Sequence, residues 1–184
     1  MENQKYTSKE TSMNKHKVPK LATAIARRCQ EIKISGLNIL DYGGGKYDTA
    51  TECLAKFGLK NNIYDPYNRT PEENKEALSV FNYDMVMMSN VLNVIAEPGV
   101  RNHVIHDAYD HLRIGGVLAI KVYEGNRSGI MTVSEKRGSC QLNKKTSDYI
   151  PEVVHVFGER QVTCENLYGV KIIFAMKGEI NHVN

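Results

Sequence analysis

Apolar residues along the chain follow two spacings that alternate. Segments with apolar residues at i, i+3 or i+4 predict amphipathic helices, and the short unbroken apolar runs between them are typical of buried strands. The predicted helices begin near Pro19, Asp48, Thr70, Pro98 and Pro151. The predicted strands are residues 37–42, 62–65, 83–88, 117–123, 161–165 and 170–176. Helices and strands therefore alternate up to the last two strands, which predict a closing hairpin.

This order predicts an α/β fold with a doubly wound, mostly parallel sheet and a C-terminal antiparallel hairpin. The chain has 184 residues, so we predict a single α/β domain over residues 18–184. Residues 1–17 lack hydrophobic periodicity and are rich in Lys, Ser, Thr and Asn, which indicates a flexible basic arm. Residues 124–148 are polar and contain glycine, which indicates an insertion or a mobile loop.

Composition excludes several classes of protein. No apolar run approaches the roughly 20 residues that span a bilayer, and residues 1–20 are polar, so we expect a cytoplasmic protein that does not enter a membrane. The four cysteines are far apart and form no CxxC pair, so we expect packing residues. His103 and His106 are three apart on a predicted helix without an evident third ligand, and we predict no metal site.

The charge distribution is more informative than the net charge. A net charge of +3 does not by itself indicate a nucleic-acid-binding protein. Residues 121–145, however, contain six Lys or Arg and only two Glu, and they follow the fourth predicted strand. Two interpretations stay open: a solvated, mobile stretch, or a segment whose Lys and Arg contact the phosphates of a nucleic acid.

A run of glycines follows the first predicted strand, in Asp41-Tyr42-Gly43-Gly44-Gly45. Sheets of this kind bind ligands at the carboxyl ends of their strands, and glycines let a ligand approach the main chain. The spacing is not the GxGxxG of dinucleotide-binding proteins, and no GK[ST] follows, which excludes a P-loop. Asp65 ends the next strand, where an acidic side chain can accept both hydroxyls of a ribose. Although Asp65-Pro66-Tyr67-Asn68 is also good turn chemistry, the two acids and the glycines together favour a nucleoside cofactor.

Residues 39–45 resemble motif I of class I S-adenosylmethionine-dependent methyltransferases, and Asp65 stands at the position of their ribose-binding acid. Residues 65–69 and 89–98 are similar to segments of methyltransferases associated with DNA phosphorothioation systems. The resemblance covers residues 37–124. Class I methyltransferases usually have another strand between the ribose acid and the fourth motif. Residues 66–83 leave little room for it, so we predict a Rossmann-like methyltransferase sheet that lacks one strand.

The resemblance implies that the chain binds S-adenosylmethionine and releases S-adenosylhomocysteine. It places Asp41, Gly43 and Gly45 at the methionine end and Asp65 at the ribose. Either Tyr67 or residues 84–90 would flank the adenine, and Asn90 would face the sulfonium and the acceptor. The predicted cofactor-binding residues are Asp41, Tyr42, Gly43, Gly44, Gly45, Asp65, Pro66, Tyr67, Asn90 and Val91.

The sulfonium methyl is already activated, so its transfer mainly needs the acceptor to be held in line, and a general base is optional. The predicted catalytic candidates are Asn90, Asn93 and Tyr123, with Glu97 and Glu124 as further candidates. Asn93 and Glu97 are equally plausible as helix-capping residues, and Tyr123 as the edge of the core.

The methyl acceptor is less well defined by the sequence. After the fourth motif the chain has Ser89-Asn90-Val91-Leu92, which disfavours both the Asp/Asn-Pro-Pro-aromatic tetrad of DNA adenine methyltransferases and a Pro-Cys nucleophile for cytosine C5. We predict a methyltransferase that acts on a nucleic acid or a small molecule. The alternatives are a non-catalytic S-adenosylmethionine-binding sensor or interaction protein, and a nicotinamide-dependent oxidoreductase.

Overall fold

The structure is a computed structural model that describes Tyr6 and residues 13–179. Its helices are α1 (Lys20–Glu31), α2 (Thr49–Ala55), α3 (Pro71–Leu78), α4 (Pro98–His111) and α5 (Ile150–Phe157). Its strands are β1 (Asn38–Tyr42), β2 (Lys60–Tyr64), β3 (Tyr83–Ser89), β4 (Leu112–Lys121), β5 (Met131–Ser134), β6 (Ser139–Leu142), β7 (Val162–Leu167) and β8 (Val170–Met176). Most of the predicted arm, residues 1–17, lies outside the described residues, although the buried Tyr6 donates a hydrogen bond to Glu135 (2.9 Å).

Six strands form one sheet in the order β2-β1-β3-β4-β8-β7. Strands β2, β1, β3 and β4 are parallel, whereas β8 runs antiparallel to β4 and β7 antiparallel to β8. This confirms the predicted mostly parallel sheet with a C-terminal antiparallel hairpin. The segment between β2 and β3 contains α3 and no strand, as expected from its length. The strand order reverses between β1 and β3, which is where sheets of this kind bind ligands.

The core lies on both faces of the sheet. On one face, α1 and α2 pack Leu21 and Leu54 with the strand residues Ile39 and Met87. On the other face, α4 and α5 pack against a second cluster that contains the neighbouring strand residues Leu40, Val86, Met88, Leu118 and Ile120. Successive strand residues point to opposite faces, so strands covered on both sides need unbroken apolar runs, and this is why the pattern identified them.

Strand β4 begins at Leu112, earlier than the predicted residue 117, because Gly115-Gly116 lies within the strand. The Gly115 amide donates to the Lys177 carbonyl (2.8 Å), and the Lys177 amide donates to the Gly116 carbonyl (2.9 Å). A Cβ at Gly116 would lie 2.9 Å from the carbonyl oxygens of Arg113 and Tyr83. The glycine therefore permits a close approach of β3 and β4.

Residues 124–148 are more ordered than the predicted insertion or mobile loop. They contain an antiparallel hairpin of β5 and β6 with a short 3₁₀ turn, Glu135–Arg137, between the two strands. Each strand has four residues, and β5 is largely exposed. A short exposed strand carries no apolar alternation, so the hydrophobic pattern could not reveal this hairpin.

Candidate functional site

The glycine turn folds over the end of β2. The amides of Gly43 and Gly44 both donate to the carbonyl of Tyr64, the last residue of β2 (2.7 and 3.3 Å). Gly43 and Gly45 have positive φ angles of 76° and 78°. A Cβ at Gly43 would lie 2.6 Å from Cγ2 of Val91. The turn therefore needs glycine for its backbone and for its contact with the residue that follows β3.

Asp65 joins the glycine turn to the loop after β2. Its Oδ2 accepts a hydrogen bond from the Gly45 amide (2.9 Å), and its Oδ1 accepts from the amides of Tyr67 (2.9 Å) and Asn68 (3.0 Å). The Asn68 side chain donates to Oδ1 as well (3.0 Å). Each carboxylate oxygen has about two acceptor sites, so Oδ1 is fully used, whereas Oδ2 accepts one hydrogen bond and can accept one more.

Arg69 holds the same turn from the other side, a role that was not predicted from the sequence. Its Nε donates to the Gly45 carbonyl (2.9 Å), and its guanidinium pairs with Asp48 at the start of α2 (2.7 Å). Both polar main-chain groups of Gly45 are thus bound by side chains, the amide by Asp65 and the carbonyl by Arg69. The only signal in the sequence was the position of Arg69 in segment 65–69.

Asp41 lies beneath the turn with 2% of its surface exposed. Its Oδ1 has no hydrogen-bond donor among the described residues. Burial raises the pKa of this carboxyl to about 7; the nearby Asp65 also raises it, and Arg69 opposes the shift. A carboxyl that can change its charge near neutral pH therefore lines the site.

The predicted role of Tyr42 in cofactor binding does not extend to its side chain. Its hydroxyl donates to Asp107 on α4 (2.6 Å), and its ring packs against Tyr64 with 4.7 Å between ring centroids. Burial and the negative charge of Asp107 hold the pKa of Tyr42 far above its usual value. The tyrosine side chain is part of the core, so only its main chain is left for a ligand.

Asn90 adopts a left-handed backbone conformation (φ 63°) directly after β3. Its amide donates to the Lys121 carbonyl (2.8 Å), and its Oδ1 accepts from the Lys121 ammonium (2.9 Å). Burial is the main cause that lowers the pKa of Lys121. The positive charges of Lys20 and Lys17 lower this pKa further, and the negative charge of Glu124 partly opposes the shift.

The other catalytic candidates have different surroundings. Asn93 is buried and donates to Gln141 (2.9 Å), which in turn donates to the Tyr123 carbonyl (3.0 Å), while the Tyr123 side chain is 60% exposed. Glu124 accepts from the Thr146 amide (2.8 Å) and pairs with Arg127 (2.7 Å). Burial raises the pKa of Glu124, but the hydrogen bond from Thr146 and the charge of Arg127 outweigh it and hold the pKa below its usual value, so this carboxylate is already engaged. Glu97 precedes α4 but makes no side-chain capping hydrogen bond there.

One cavity of about 1390 Å³ brings most of the predicted residues together. Of the predicted cofactor-binding and catalytic residues, all but Gly45 line it, namely Asp41, Tyr42, Gly43, Gly44, Asp65, Pro66, Tyr67, Asn90, Val91, Asn93 and Tyr123. Its volume exceeds the roughly 300–1000 Å³ of a typical ligand pocket. The cavity is therefore large enough for two ligands side by side.

Membrane-spanning helices and metal-binding clusters are both absent from the described part of the chain. Across Tyr6 and residues 13–179, no helix combines the length and the apolar character that crossing a membrane requires. The same residues contain no cluster of three or more His, Cys, Asp or Glu that could hold a metal ion. His103 and His106 are exposed on α4 and do not line the cavity.

No protein-family model and no curated protein matches the chain in sequence. Among solved structures, the chain is similar to 1,6-didemethyltoxoflavin-N1-methyltransferase of Burkholderia thailandensis with bound 1,6-didemethyltoxoflavin and S-adenosylhomocysteine. The TM-score is 0.61 at 15% identity, over 85% of this chain and 77% of the other.

Two further similar structures each have a TM-score of 0.53. The 16S rRNA N2 G1207 methyltransferase of Thermus thermophilus, in complex with S-adenosylmethionine and guanosine, is 18% identical over 88% of this chain and 44% of its own. Phosphoethanolamine N-methyltransferase 2 of Haemonchus contortus, in complex with S-adenosylmethionine, is 19% identical over 83% of this chain and 40% of its own. The chain spans less than half of either protein. The three similarities together show that this chain has the Rossmann-like fold of class I S-adenosylmethionine-dependent methyltransferases.

Proposed function

We propose that this protein binds S-adenosylmethionine at the carboxyl ends of β1, β2 and β3 and transfers its methyl group to an acceptor held in the same cavity. The observation that carries the proposal is the meeting of the glycine turn, Asp65 and Asn90 around one cavity large enough for two ligands. The structures with the same fold contain S-adenosylmethionine or S-adenosylhomocysteine, which supports this choice of cofactor.

The residues present fit this cofactor. The glycine turn offers main chain without a Cβ, and Asp41 offers a buried carboxyl oxygen with no donor among the described residues, which suits the ammonium of the methionine end. Asp65 keeps one acceptor site for a ribose hydroxyl, fewer than the two hydroxyls expected from sequence. Pro66 and Tyr67 would flank the adenine.

The bound cofactor supplies a methyl group on a sulfonium that needs no further activation. The chain's own residues then have to orient the acceptor and exclude water. Asn90 suits the orienting role because its backbone is fixed by Lys121 from the neighbouring strand. Asn93 and Tyr123 stay candidates at the acceptor side. Because Glu124 is paired with Arg127, we do not assign it the role of general base.

The acceptor is a nucleic acid or a small molecule. Of the six basic residues in 121–145, Lys121, Arg127 and Arg137 line the cavity, and Arg127 is paired with Glu124. Nucleic-acid contact through this segment and an association with DNA phosphorothioation both stay predictions. A location in the cytoplasm also stays a prediction.

Isothermal titration with S-adenosylmethionine and with S-adenosylhomocysteine tests cofactor binding. In Gly43→Val the added side chain meets Val91, whereas Gly36→Val has the same φ of 76° with nothing within 4 Å of its Cβ. We expect the first variant to lose binding and the second to keep it. Absence of binding to the wild-type protein would refute the proposal, and binding of NAD(H) in its place would favour an oxidoreductase.

Methyl transfer is tested separately. Labelled S-adenosylmethionine is incubated with the protein and with nucleic-acid, protein or metabolite fractions, and Asp65→Ala serves as the control. Label should enter one class of acceptor and not the others. Cofactor binding without incorporation into any fraction would replace the enzyme by the sensor or interaction protein.

A further inference from the structure

Three lysines from distant parts of the sequence line the same cavity. Lys17 precedes α1, Lys20 begins α1, and Lys121 ends β4. The backbone of Lys17 is fixed by a hydrogen bond from the Thr49 hydroxyl to its carbonyl (3.2 Å). Within the described part of the chain, none of the three lysines forms an ion pair with a carboxylate.

This grouping of like charges is unfavourable in the free protein. Lys121 is half-buried, and its removal from water is the main cause that lowers its pKa; the charges of Lys20 and Lys17 lower the pKa further, while the charge of Glu124 partly opposes the shift. Its one described hydrogen-bond acceptor is the neutral amide oxygen of Asn90 (2.9 Å). A bound anion would offset this electrostatic cost with short, charge-assisted hydrogen bonds.

The acidic residues of the cavity are not available to neutralise the lysines. Asp65 accepts hydrogen bonds from main-chain amides, and Glu124 pairs with Arg127. Asp41 lies beneath the glycine turn, where a Cβ added at Gly44 would lie 2.9 Å from its Oδ2. The three lysines therefore bring positive charge to the cavity that no described ion pair neutralises, although the charge of Glu124 partly offsets it at Lys121.

Lys121, where the three lysines meet the end of the sheet, lies at the acceptor side of the proposed cofactor site. Strand β4 is the second neighbour of β1 in the sheet, and neighbouring strands are about 4.8 Å apart, so Lys121 lies about 10 Å from the glycine turn across the sheet. Asn90 lies between them, at the end of β3. A ligand group at Lys121 is thus on the far side of Asn90 from the turn.

We propose that Lys17, Lys20 and Lys121 bind a phosphate group of the methyl acceptor. A phosphate carries up to two negative charges and three strong acceptor oxygens, which match three ammonium groups better than a singly charged carboxylate does. The assignment to the acceptor rests on the proposed function. A phosphomonoester and the backbone of a nucleic acid share this chemistry, and the experiment separates them.

The probe is inorganic phosphate, titrated into protein loaded with S-adenosylhomocysteine, with sodium chloride of equal ionic strength as the reference. Binding is followed by calorimetry and by thermal unfolding. We expect saturable binding to the wild-type protein, and affinity about tenfold lower in Lys121→Met, since a hydrogen bond to a charged group is lost. Lys75→Met, an exposed lysine on α3, is the matched control and should bind as the wild type does.

A single-stranded oligonucleotide forms the second arm of the experiment. If the acceptor is a phosphomonoester, we expect the protein to bind the oligonucleotide no more tightly than it binds inorganic phosphate. A nucleic-acid acceptor adds affinity that falls in Lys121→Met and decreases steeply with salt. If Lys121→Met does not fold, the double variant Lys17→Met/Lys20→Met gives the same test, because both side chains are exposed.

Two outcomes overturn the inference. One is a phosphate effect no larger than that of chloride, or equal in wild type and Lys121→Met. The other is a loss of S-adenosylmethionine affinity in the lysine variants, which would mean that the lysines bind the cofactor's own carboxylate. Wild-type protein that binds no S-adenosylmethionine refutes the proposed function instead, and titration of unloaded protein with phosphate then still reports on the lysines.

Discussion

The contact between Gly43 and Val91 can be tested by a substitution for which the chain provides its own control. Gly43 and Gly36 have the same φ of 76°, but their surroundings differ. A Cβ at Gly43 would lie 2.6 Å from Val91 Cγ2, whereas a Cβ at Gly36 has nothing within 4 Å. Alanine at Gly36 therefore measures the backbone cost alone, and alanine at Gly43 measures that cost together with the steric clash.

The two costs can be estimated separately. A left-handed conformation costs an L-residue about 1–2 kcal/mol, which is the expected loss for Gly36→Ala. Overpacking of a close contact adds about 1–3 kcal/mol, so we expect Gly43→Ala to lose about 2–5 kcal/mol in all. The total is a large fraction of the roughly 5–15 kcal/mol that stabilises a typical domain. Each 1 kcal/mol lowers Tm by about 2–4 °C in a chain of this size.

A double-mutant cycle with Val91→Ala assigns the clash to this pair. The Val91 Cβ would lie 3.7 Å from the new methyl, an ordinary contact, so removal of the two γ-carbons relieves the overlap. In the Val91→Ala background, Gly43→Ala should cost no more than Gly36→Ala, which gives a coupling energy of about 1–3 kcal/mol. Urea unfolding followed by circular dichroism measures all variants. Equal costs at Gly36 and Gly43, or additive effects of Gly43→Ala and Val91→Ala, would contradict the packing described for the turn.

Three further predictions concern charged residues. Arg69→Lys keeps the charge but loses the planar fork that binds the Gly45 carbonyl and Asp48. We expect the affinity for S-adenosylmethionine, measured by calorimetry, to fall about tenfold. Unchanged affinity would show that these two contacts of Arg69 do not matter for the ligand. The pKa of Asp41 is raised in the fold from 3.8 to about 7, so its contribution to stability is full below pH 3.8 and is lost as the pH rises towards 7. Urea unfolding over this range should give a slope for the wild type relative to Asp41→Asn, at most about 1.4 kcal/mol per pH unit. Arg101→Ala breaks a buried two-point ion pair and should cost about 3–5 kcal/mol in urea unfolding, against less than about 1 kcal/mol for the exposed pair broken by Arg27→Ala.

The fold was predictable where burial imposes a pattern. Strand β3 was predicted as residues 83–88 and is Tyr83–Ser89, because a strand covered on both faces leaves an unbroken apolar run. Helix α4 was predicted to begin near Pro98 and does begin at that residue. The hairpin β5–β6 was not predicted, because its strands are short and one is largely exposed. The hydrophobic pattern identifies helices and strands that bury an apolar face. It does not identify exposed strands, which are positioned by contacts with neighbouring elements.

Main-chain features of the site were more predictable than side-chain directions. Glycines after a strand indicate a main-chain site wherever the sheet places it, and Gly43 and Gly44 do line the cavity. Tyr42 lies in the same motif, yet its side chain points to Asp107, a residue far away in the sequence. Lys17, Lys20 and Lys121 likewise reach the same cavity only because the fold brings the start of α1 and the end of β4 to it. Such contacts come from tertiary packing, which spacing along the chain does not encode.

The reduced sheet gives a physical reason for the side-chain bonds around the glycine turn. Among the described residues no strand lies beyond β2, which is therefore the edge of the sheet, and no further described strand supports the turn that folds over its end. Segment 65–69 takes that place: Asp65 binds the Gly45 amide, and Arg69 binds the Gly45 carbonyl. A turn held by two charged side chains in place of a strand should be more sensitive to their loss than to changes in β2 itself. Asp65 and Arg69 therefore serve the same purpose. Both fix the glycine turn at the edge of the sheet, one through the Gly45 amide and the other through the Gly45 carbonyl.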